Sequence, residues 1–517
     1  MHLSIMKSFK NSKTNSRSSR MLKNSIFLYT RMFVIMGINL ITVRLLLKAL
    51  GETDYGLYNV VGGVVTMLTF VSTSMSSAAQ RFFAYYIGRN DKEQLIKVFR
   101  VSLFIFLLIV LATIPVAETI GLWFVKNKLT IPSERYDAAL WVYHFSVISF
   151  AFNLLVVPFR AMVLSTERMD FFAVITMIES GMKLIMVFFI SGDFHQDKLI
   201  IYSLLFTFVI IFNYLAYALF VKVKNKYLSY VPLFERYYFN QLFSYCSWYL
   251  FGTIATVVRG QGINILLNIF FNPIVNAARA LAYQVNSAVE AFVSSFYSAV
   301  RPQIVKRFAA NELDSLHALL LKSTFLSFYL VLLISAPLFV WMPNILELWL
   351  GEVPEYTVLF TRLVIINSMI ETLGLPLSTA VCADGNIKWF QIVTGTIILL
   401  NLPISYCFLM NSFSPEITMI VAIFLSCLVQ CIKMYFAKIT IKLNLSEYYR
   451  LLIRILLVTA VSFVFTLFIY KVTIGIGLWK ELLSIMVSVL FILVFIYYVG
   501  LKSSDRIIIE SFFKKNE

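Results

Sequence analysis

The chain has 517 residues, of which 60% are hydrophobic and only 14% charged, with a formal net charge of +17. A water-soluble protein of this length carries closer to a quarter charged residues, so the composition excludes a soluble globular class and makes a lipid bilayer the solvent for most of the chain. The basic balance does not point to nucleic acid, because no soluble basic domain is present to hold it.

Residues 1–24 form a polar leader with six Lys/Arg and no carboxylate. It lacks the apolar core and small-residue cleavage site of a signal peptide, and reads as a basic cytoplasmic tail able to lie on anionic lipid. Fourteen apolar segments then follow, near 26–47, 57–80, 101–125, 137–160, 171–191, 198–221, 242–269, 273–300, 319–342, 357–380, 389–410, 416–437, 449–470 and 480–500. Each is long enough to cross about 30 Å of hydrocarbon as a helix. With the N-terminus inside, 31 Lys/Arg fall at inner loops, tails and inner helix ends and 7 at the outer side. That asymmetry predicts both termini in the cytoplasm. Outer loops are short, the longest being "PNILELWLGEVPEY", which leaves no room for an outer domain.

A faint repeat appears at an offset of about 220 residues: "SAAQRFFAYYIGRNDKEQL" lies over "SAVRPQIVKRFAANELDSL". Six spans separate the copies, and an even number gives two halves of the same orientation. The expected organisation is a basic tail (1–24), a six-helix lobe (25–221), a cytoplasmic linker (222–241), a second six-helix lobe (242–438), and an additional helix pair with a cytoplasmic tail (439–517). The fold class is thus an all-α integral membrane protein of 14 transmembrane helices.

Between the first two spans, "LLLKALGETDYGLYNVVGGVV" holds an acidic ExD made of Glu52 and Asp54. Two carboxylates at this spacing could hold a divalent cation on a lipid-phosphosugar donor, as in a membrane glycosyltransferase. The equivalent turn of the second half, "NIFFNPIVNAAR", has Asn272 and Pro273 and no acid. What the turns share is helix punctuation: Gly51 suits a left-handed C-cap, Asp54 an N-cap, and Asn272-Pro273 the N-cap and first turn. The motif is read as a turn and no metal site is expected.

Cations inside spans are costly, about 2.5 to 3.5 kcal/mol each at mid-bilayer, and call for a wet or polar interior. They are Arg31, Arg44, Lys183, Arg259, Arg279 and Arg362. Arg31, Arg44 and Arg362 lie near helix ends and could snorkel, whereas Arg259 is about 15 Å from its outer helix end and cannot. Arg279 follows on the next, antiparallel helix, and Gln261, Asn264, Asn268, Asn276, Gln284 and Asn286 surround the pair in sequence. Glu179 and Lys183, four apart, are expected to pair. Glu290 and Glu371 have no partner close in sequence, which makes them candidate H+ or Na+ sites or counter-ions of a deep arginine. Arginine forks match phosphate oxygens and amides suit sugars, so the expected guest is anionic and rich in hydroxyls.

The five cysteines show no metal spacing, the four histidines are scattered, and no P-loop is present. Neither a cofactor nor a catalytic set is expected, so the chain is read as a non-enzyme.

The stretch "KNSIFLYTRMFVIMGINLITVRLLLKALGETDYGLYNVVGGVVTMLTFVSTSMSSAAQRFFAYYIG", above all "LGETDYGLYNVVGG", resembles the opening of bacterial polysaccharide transporters, the O-antigen flippase (Wzx-like) branch of the multidrug/oligosaccharidyl-lipid/polysaccharide exporter superfamily. Its specific wording covers roughly residues 23–100. The resemblance implies a MATE-like fold of two six-helix lobes that rock about a cationic cavity and move undecaprenyl-diphosphate-linked oligosaccharide across the bacterial inner membrane. It implies a lipid-linked oligosaccharide as substrate, a coupling ion, and other polysaccharide-assembly membrane proteins as partners. By helix, it points to Arg31, Arg44, Arg259 and Arg279 as substrate-binding cavity residues; their depth in the spans adds Lys183 to that set and makes Glu290 and Glu371 the ion-coupling candidates. The competing readings are a cation-coupled multidrug antiporter of the same fold, which needs net negative charge at its site, and a glycosyltransferase or polymerase, which needs outer-loop acids.

Overall fold

The computed structural model describes residues 24, 26–39, 41–42, 45–46, 48–51, 54, 57–58, 61, 69–128, 131–192, 197–271, 273–350, 352–473 and 478–500. The residues described are all-helical, without strands. Among the described residues ten helical segments are long and apolar enough to cross a membrane, and an eleventh is a pair bent by 40°. Each of the fourteen apolar segments coincides at least in part with helix. Arg44, Glu52, Asn272, His195 and the leader through Lys23 lie outside the described residues. The described residues divide into two compact units, one from Asn24 to Leu250 and the other from Phe251 onward.

In the first unit, α1 (Ile26–Asn39) precedes α2 (Thr69–Gly88), α3 (Lys92–Val116), α4 (Leu122–Lys128), α5 (Tyr136–Leu155), α6 (Val157–Ser165), α7 (Met169–Ile190) and α8 (Lys198–Lys224). A five-residue π-helical stretch, Ala117–Gly121, joins α3 to α4. The Ala117 carbonyl, which takes the Leu122 amide, also accepts the Tyr143 hydroxyl at 2.6 Å. Gly121 is what lets Tyr143 approach, since a Cβ there would run into the phenol oxygen. Buried Val110, Ala117, Val125, Val142, Tyr143 and Leu154 make a core between α3, α4 and α5, while α5 also packs on α8, and α2 on α6.

In the second unit, the 35-residue α9 (Arg236–Phe270) enters across the boundary and is followed by the 37-residue α10 (Pro273–Ala309). Then come α11 (Leu313–Val340), α12 (Met342–Leu350), α13 (Thr357–Leu373), α14 (Leu375–Asp384), α15 (Lys388–Leu399), α16 (Asn401–Met410), α17 (Ile417–Ile441), α18 (Leu445–Thr473) and α19 (Leu478–Phe495). The core runs through α10, α11 and α13, and extends into the last pair by Ile455, Val458 and Ile492. These two helices are therefore built into the second unit rather than hung on it.

The two segments paired in the sequence end in turns of the same backbone geometry, one that also ends α6 at Glu167. After α2, Asn90 takes φ +56°, and after α10, Asn311 also takes φ +56°. In both turns three successive amides donate in the same order, Arg89 to Tyr85, Asn90 to Ile87 and Asp91 to Tyr86, against Ala310 to Lys306, Asn311 to Phe308 and Glu312 to Arg307. Asparagine tolerates this left-handed conformation better than most residues, which explains its use at both places. The α5–α6 break carries Pro158 and the α13–α14 break carries Pro376, each in the first turn of the second helix. A proline there removes a backbone donor where the helix has already been interrupted.

Candidate functional site

Each unit holds one cluster of charged and amide side chains at membrane depth. In the first, the Arg31 Nε donates to the Thr176 Oγ1 at 2.6 Å, and its guanidinium lies 4.6 Å from the centre of the Phe172 ring. Arg31 thus turns inward onto α7 instead of snorkelling. On α7, Lys183 donates to Glu179 at 2.7 Å, the expected pair one helical turn apart. The other Glu179 oxygen accepts from the Asn213 amide of α8. Beside them the Arg160 guanidinium sits 5.6 Å from the ring centre of Tyr217, which is fully buried. Glu179, Arg31 and Arg160 all lie within electrostatic reach of Tyr217. The named groups are three cations against one carboxylate.

The second unit's cluster is built on α10, whose residues Arg279, Tyr283, Asn286 and Glu290 recur at four, three and four positions and so share one face. Arg279 is 6% exposed, stacks 4.6 Å over Tyr283 and donates through Nη1 to the Asn264 side-chain oxygen of α9. Asn276 reaches back to the Asn264 carbonyl at 3.2 Å, which ties the two helices together around the arginine. Arg259, one turn and a half earlier on α9, pairs with Glu371 of α13 at 3.6 Å. Glu371 also accepts from Asn367 at 2.9 Å and from Ser426 of α17 at 3.4 Å. Glu290 accepts from Asn286 at 2.7 Å, and Glu371 and Arg259 lie within its electrostatic reach.

Both carboxylates therefore do have partners close in sequence, but these are amides four residues earlier, a pairing a search for charges passes over. Lys433 was also passed over. It sits on α17, about 12 Å from that helix's end, and within electrostatic reach of Glu371. It packs against Gly374 at the α13–α14 break, where any Cβ would collide with its side chain and with Gln430. Its position four residues inside the apolar segment 416–437 was the available signal. The cluster's charged groups are Arg259, Arg279 and Lys433 against Glu290 and Glu371.

Other candidates have local duties. Arg362 donates to the Phe339 carbonyl at 3.0 Å near the end of α11. Asp54 is engaged by Arg135, whose Nε donates to it at 2.7 Å, and Arg135 also holds Asp197. Asp197 in turn caps α8 by accepting from the Leu199 amide at 2.9 Å. The acid of the ExD motif is thus one jaw of a carboxylate–arginine–carboxylate clasp, a partner 81 residues away that the sequence did not reveal. Gly51 does take the left-handed conformation expected of it, with φ +78°. Among the described residues no group of three or more His, Cys, Asp or Glu could hold a metal ion. His144 meets Glu118 at 3.1 Å, and His317 meets the Ile441 carbonyl at 2.8 Å.

A multi-pass helical membrane protein whose cores carry embedded cations is the class these features define. No protein-family profile and no curated protein sequence matches the chain. Solved structures do. MATE in complex with MaD3S aligns with a TM-score of 0.68 at 13% identity, covering 82% of this chain and 96% of that one. An outward-facing multidrug resistance MATE family transporter of the MOP superfamily aligns at 0.66 and 12% identity, covering 81% and 96%. A MOP superfamily transporter from Pyrococcus furiosus, described as having a binding pocket of reverse polarity that suggests a different function, aligns at 0.67 and 12%, covering 82% and 96%. The fold of this chain is accordingly MATE-like.

Proposed function

We propose that this protein is a transporter that moves oligosaccharide units carried on undecaprenyl diphosphate across the bacterial inner membrane by alternating access, for cell-surface polysaccharide or lipopolysaccharide assembly. The observation that carries the reading is the excess of cations over carboxylates in the polar cluster of each unit, set among side-chain amides. Such groups would replace water around a diphosphate and its sugars, while the polyprenyl chain remains in lipid. Arg31, Arg44, Lys183, Arg259 and Arg279 are the proposed substrate contacts, and Lys433 joins them. Glu290 and Glu371, next to Arg259, are the proposed coupling-ion sites for H+ or Na+. Both termini are placed in the cytoplasm, and other polysaccharide-assembly membrane proteins are the proposed partners.

A cation-coupled multidrug antiporter of this fold would call for an acidic site to hold organic cations, which the charge count disfavours. The Pyrococcus furiosus MOP superfamily transporter, of similar fold, is likewise described as having a binding pocket of reverse polarity that suggests a different function. The test is transbilayer movement of a diphosphate-linked oligosaccharide lipid in proteoliposomes, with and without an imposed ion gradient. Movement above that of empty vesicles, lost in Arg259→Ala, is the expected result. No movement with any lipid-linked glycan tested, together with uptake of organic cations, would replace this reading by the antiporter.

A further inference from the structure

The start of α11, the start of α18 and the π-helical turn Ile496–Gly500 that follows α19 line a cavity of about 690 Å³, separate from the polar clusters described above. Its α11 wall is His317, Ala318, Leu321, Lys322 and Phe325, a stripe with helical spacing. The α18 wall carries Glu447, Arg450, Leu451 and Arg454, where the two arginines are four residues apart on one face. Gly500 also lines the cavity and packs against the ring of Tyr329; a Cβ at this position would press into that ring. The Tyr329 hydroxyl is buried without a hydrogen-bond partner and lies within electrostatic reach of Arg454.

The lining divides by chemistry. Leu321, Phe325 and Leu451 offer an apolar slot, while Lys322, Arg450 and Arg454 put three fixed positive charges against the two negative charges of Asp314 and Glu447. A ligand that satisfies both parts is an amphiphile with a phosphodiester head and an acyl tail. We propose that this cavity binds an anionic phospholipid, its phosphate between Arg450 and Arg454 and its chain along Leu321, Phe325 and Leu451. In the orientation proposed above, the positive ends of α11 and α18 face the cytoplasm, which is the leaflet where basic pockets between helices meet anionic headgroups. The site exists only because α18 and α19 pack on α11, and it gives that last helix pair a task that the substrate clusters do not need.

The test is a titration of the purified full chain, in non-ionic detergent, with phosphatidylglycerol, phosphatidylcholine or inorganic phosphate, with bound lipid counted by native mass spectrometry. Phosphatidylglycerol is expected to bind more tightly than phosphatidylcholine, and the Arg450→Gln/Arg454→Gln double variant to weaken it by about thirtyfold, the effect of two basic side chains at a membrane surface. Glu447→Gln removes a negative charge from the same wall and is expected to tighten phosphatidylglycerol binding, which keeps the proposal open to refutation even if the double variant misfolds. Equal binding of both lipids, unchanged affinity in the double variant, or weaker binding in Glu447→Gln overturns it. So does competition by inorganic phosphate at the lipid's own concentration, which would make this a site for free phosphate, and so does an absence of lipid, as when the chain's own residues 501–517 fill the space.

Discussion

Arg259 and Arg279 stand on consecutive helices of one unit, yet their removal should have different consequences. The Arg259 side chain is 19% exposed, and its partner Glu371 is 42% exposed and keeps hydrogen bonds from Asn367 and Ser426 when the arginine is gone. Arg259→Ala is expected to cost about 1 kcal/mol of stability or less, as for other partly solvated ion pairs. Arg279→Ala loses a charge-assisted hydrogen bond to Asn264 and a stacking contact with Tyr283 in a site only 6% exposed. Such a bond contributes about 1.5–3 kcal/mol, and relief of the unpartnered Arg279 Nε offsets part of its loss, so about 2 kcal/mol is expected. For transport both are proposed contacts, but Arg279 already commits its guanidinium to Asn264 and Tyr283, so the order of the two effects reverses. A guanidinium that meets a phosphate on the transport route contributes a similar 1.5–3 kcal/mol, so Arg259→Ala should slow glycan-lipid movement by about 10- to 150-fold per folded molecule. Thermal midpoints of the two variants in detergent, paired with proteoliposome rates normalised to folded protein, measure both. A wild-type rate in Arg259→Ala, or a loss of stability in it equal to that of Arg279→Ala, would refute the division of roles.

Arg135→Ala is expected to destabilise the protein by about 2 kcal/mol, between the values for exposed and buried pairs, because it leaves Asp54 and Asp197 facing each other without their cation. The transport rate per folded molecule should stay unchanged, and a loss of rate with full stability would return Asp54 to a functional role. Tyr230 lies between α8 and α9, packed against Phe99 and Phe159, and burial pushes its phenol up to about 12. A raised phenol pKa favours the folded state's protonated form, so this contribution is present below pH 10 and is lost as pH rises through 10 toward 12. Tyr230→Phe should accordingly unfold with a shallower alkaline dependence above pH 10 and little change at pH 7, as followed by thermal midpoints across that range. An identical alkaline profile in the variant would show that the phenol does not titrate with folding.

Much of the fold was legible because the bilayer imposes a strong constraint on sequence. Apolar stretches of about twenty residues have few alternatives to the helix, since no water is present to satisfy the backbone otherwise. The "SAAQRFF…" and "SAVRPQI…" segments suggest a repeat, and both end in a turn with a left-handed asparagine, at positions 90 and 311, a geometry that also ends α6 at Glu167. The Glu179–Lys183 pair was readable for the same local reason, as one helical turn brings residues four apart together. The α10 polarity was readable as well: its Arg279, Asn286 and Glu290 lie on one face whatever packs against them.

What the sequence could not supply was any pairing across helices, since that depends on which faces meet. The Arg135 clasp joins residues 81 and 62 positions apart, and the Asn213 amide reaches Glu179 from 34 positions away. Lys433 lies near the end of its apolar segment, and only the α13–α14 break at Gly374 brings its side chain into reach of Glu371. The cavity on α11 depends likewise on the docking of the last helix pair. Hydropathy and helical period determined by themselves that the chain is a membrane bundle and which faces carry charge. Only the tertiary structure decided which charges neutralise one another, because Coulomb energies and hydrogen bonds depend on distances between helices, and packing alone sets those distances.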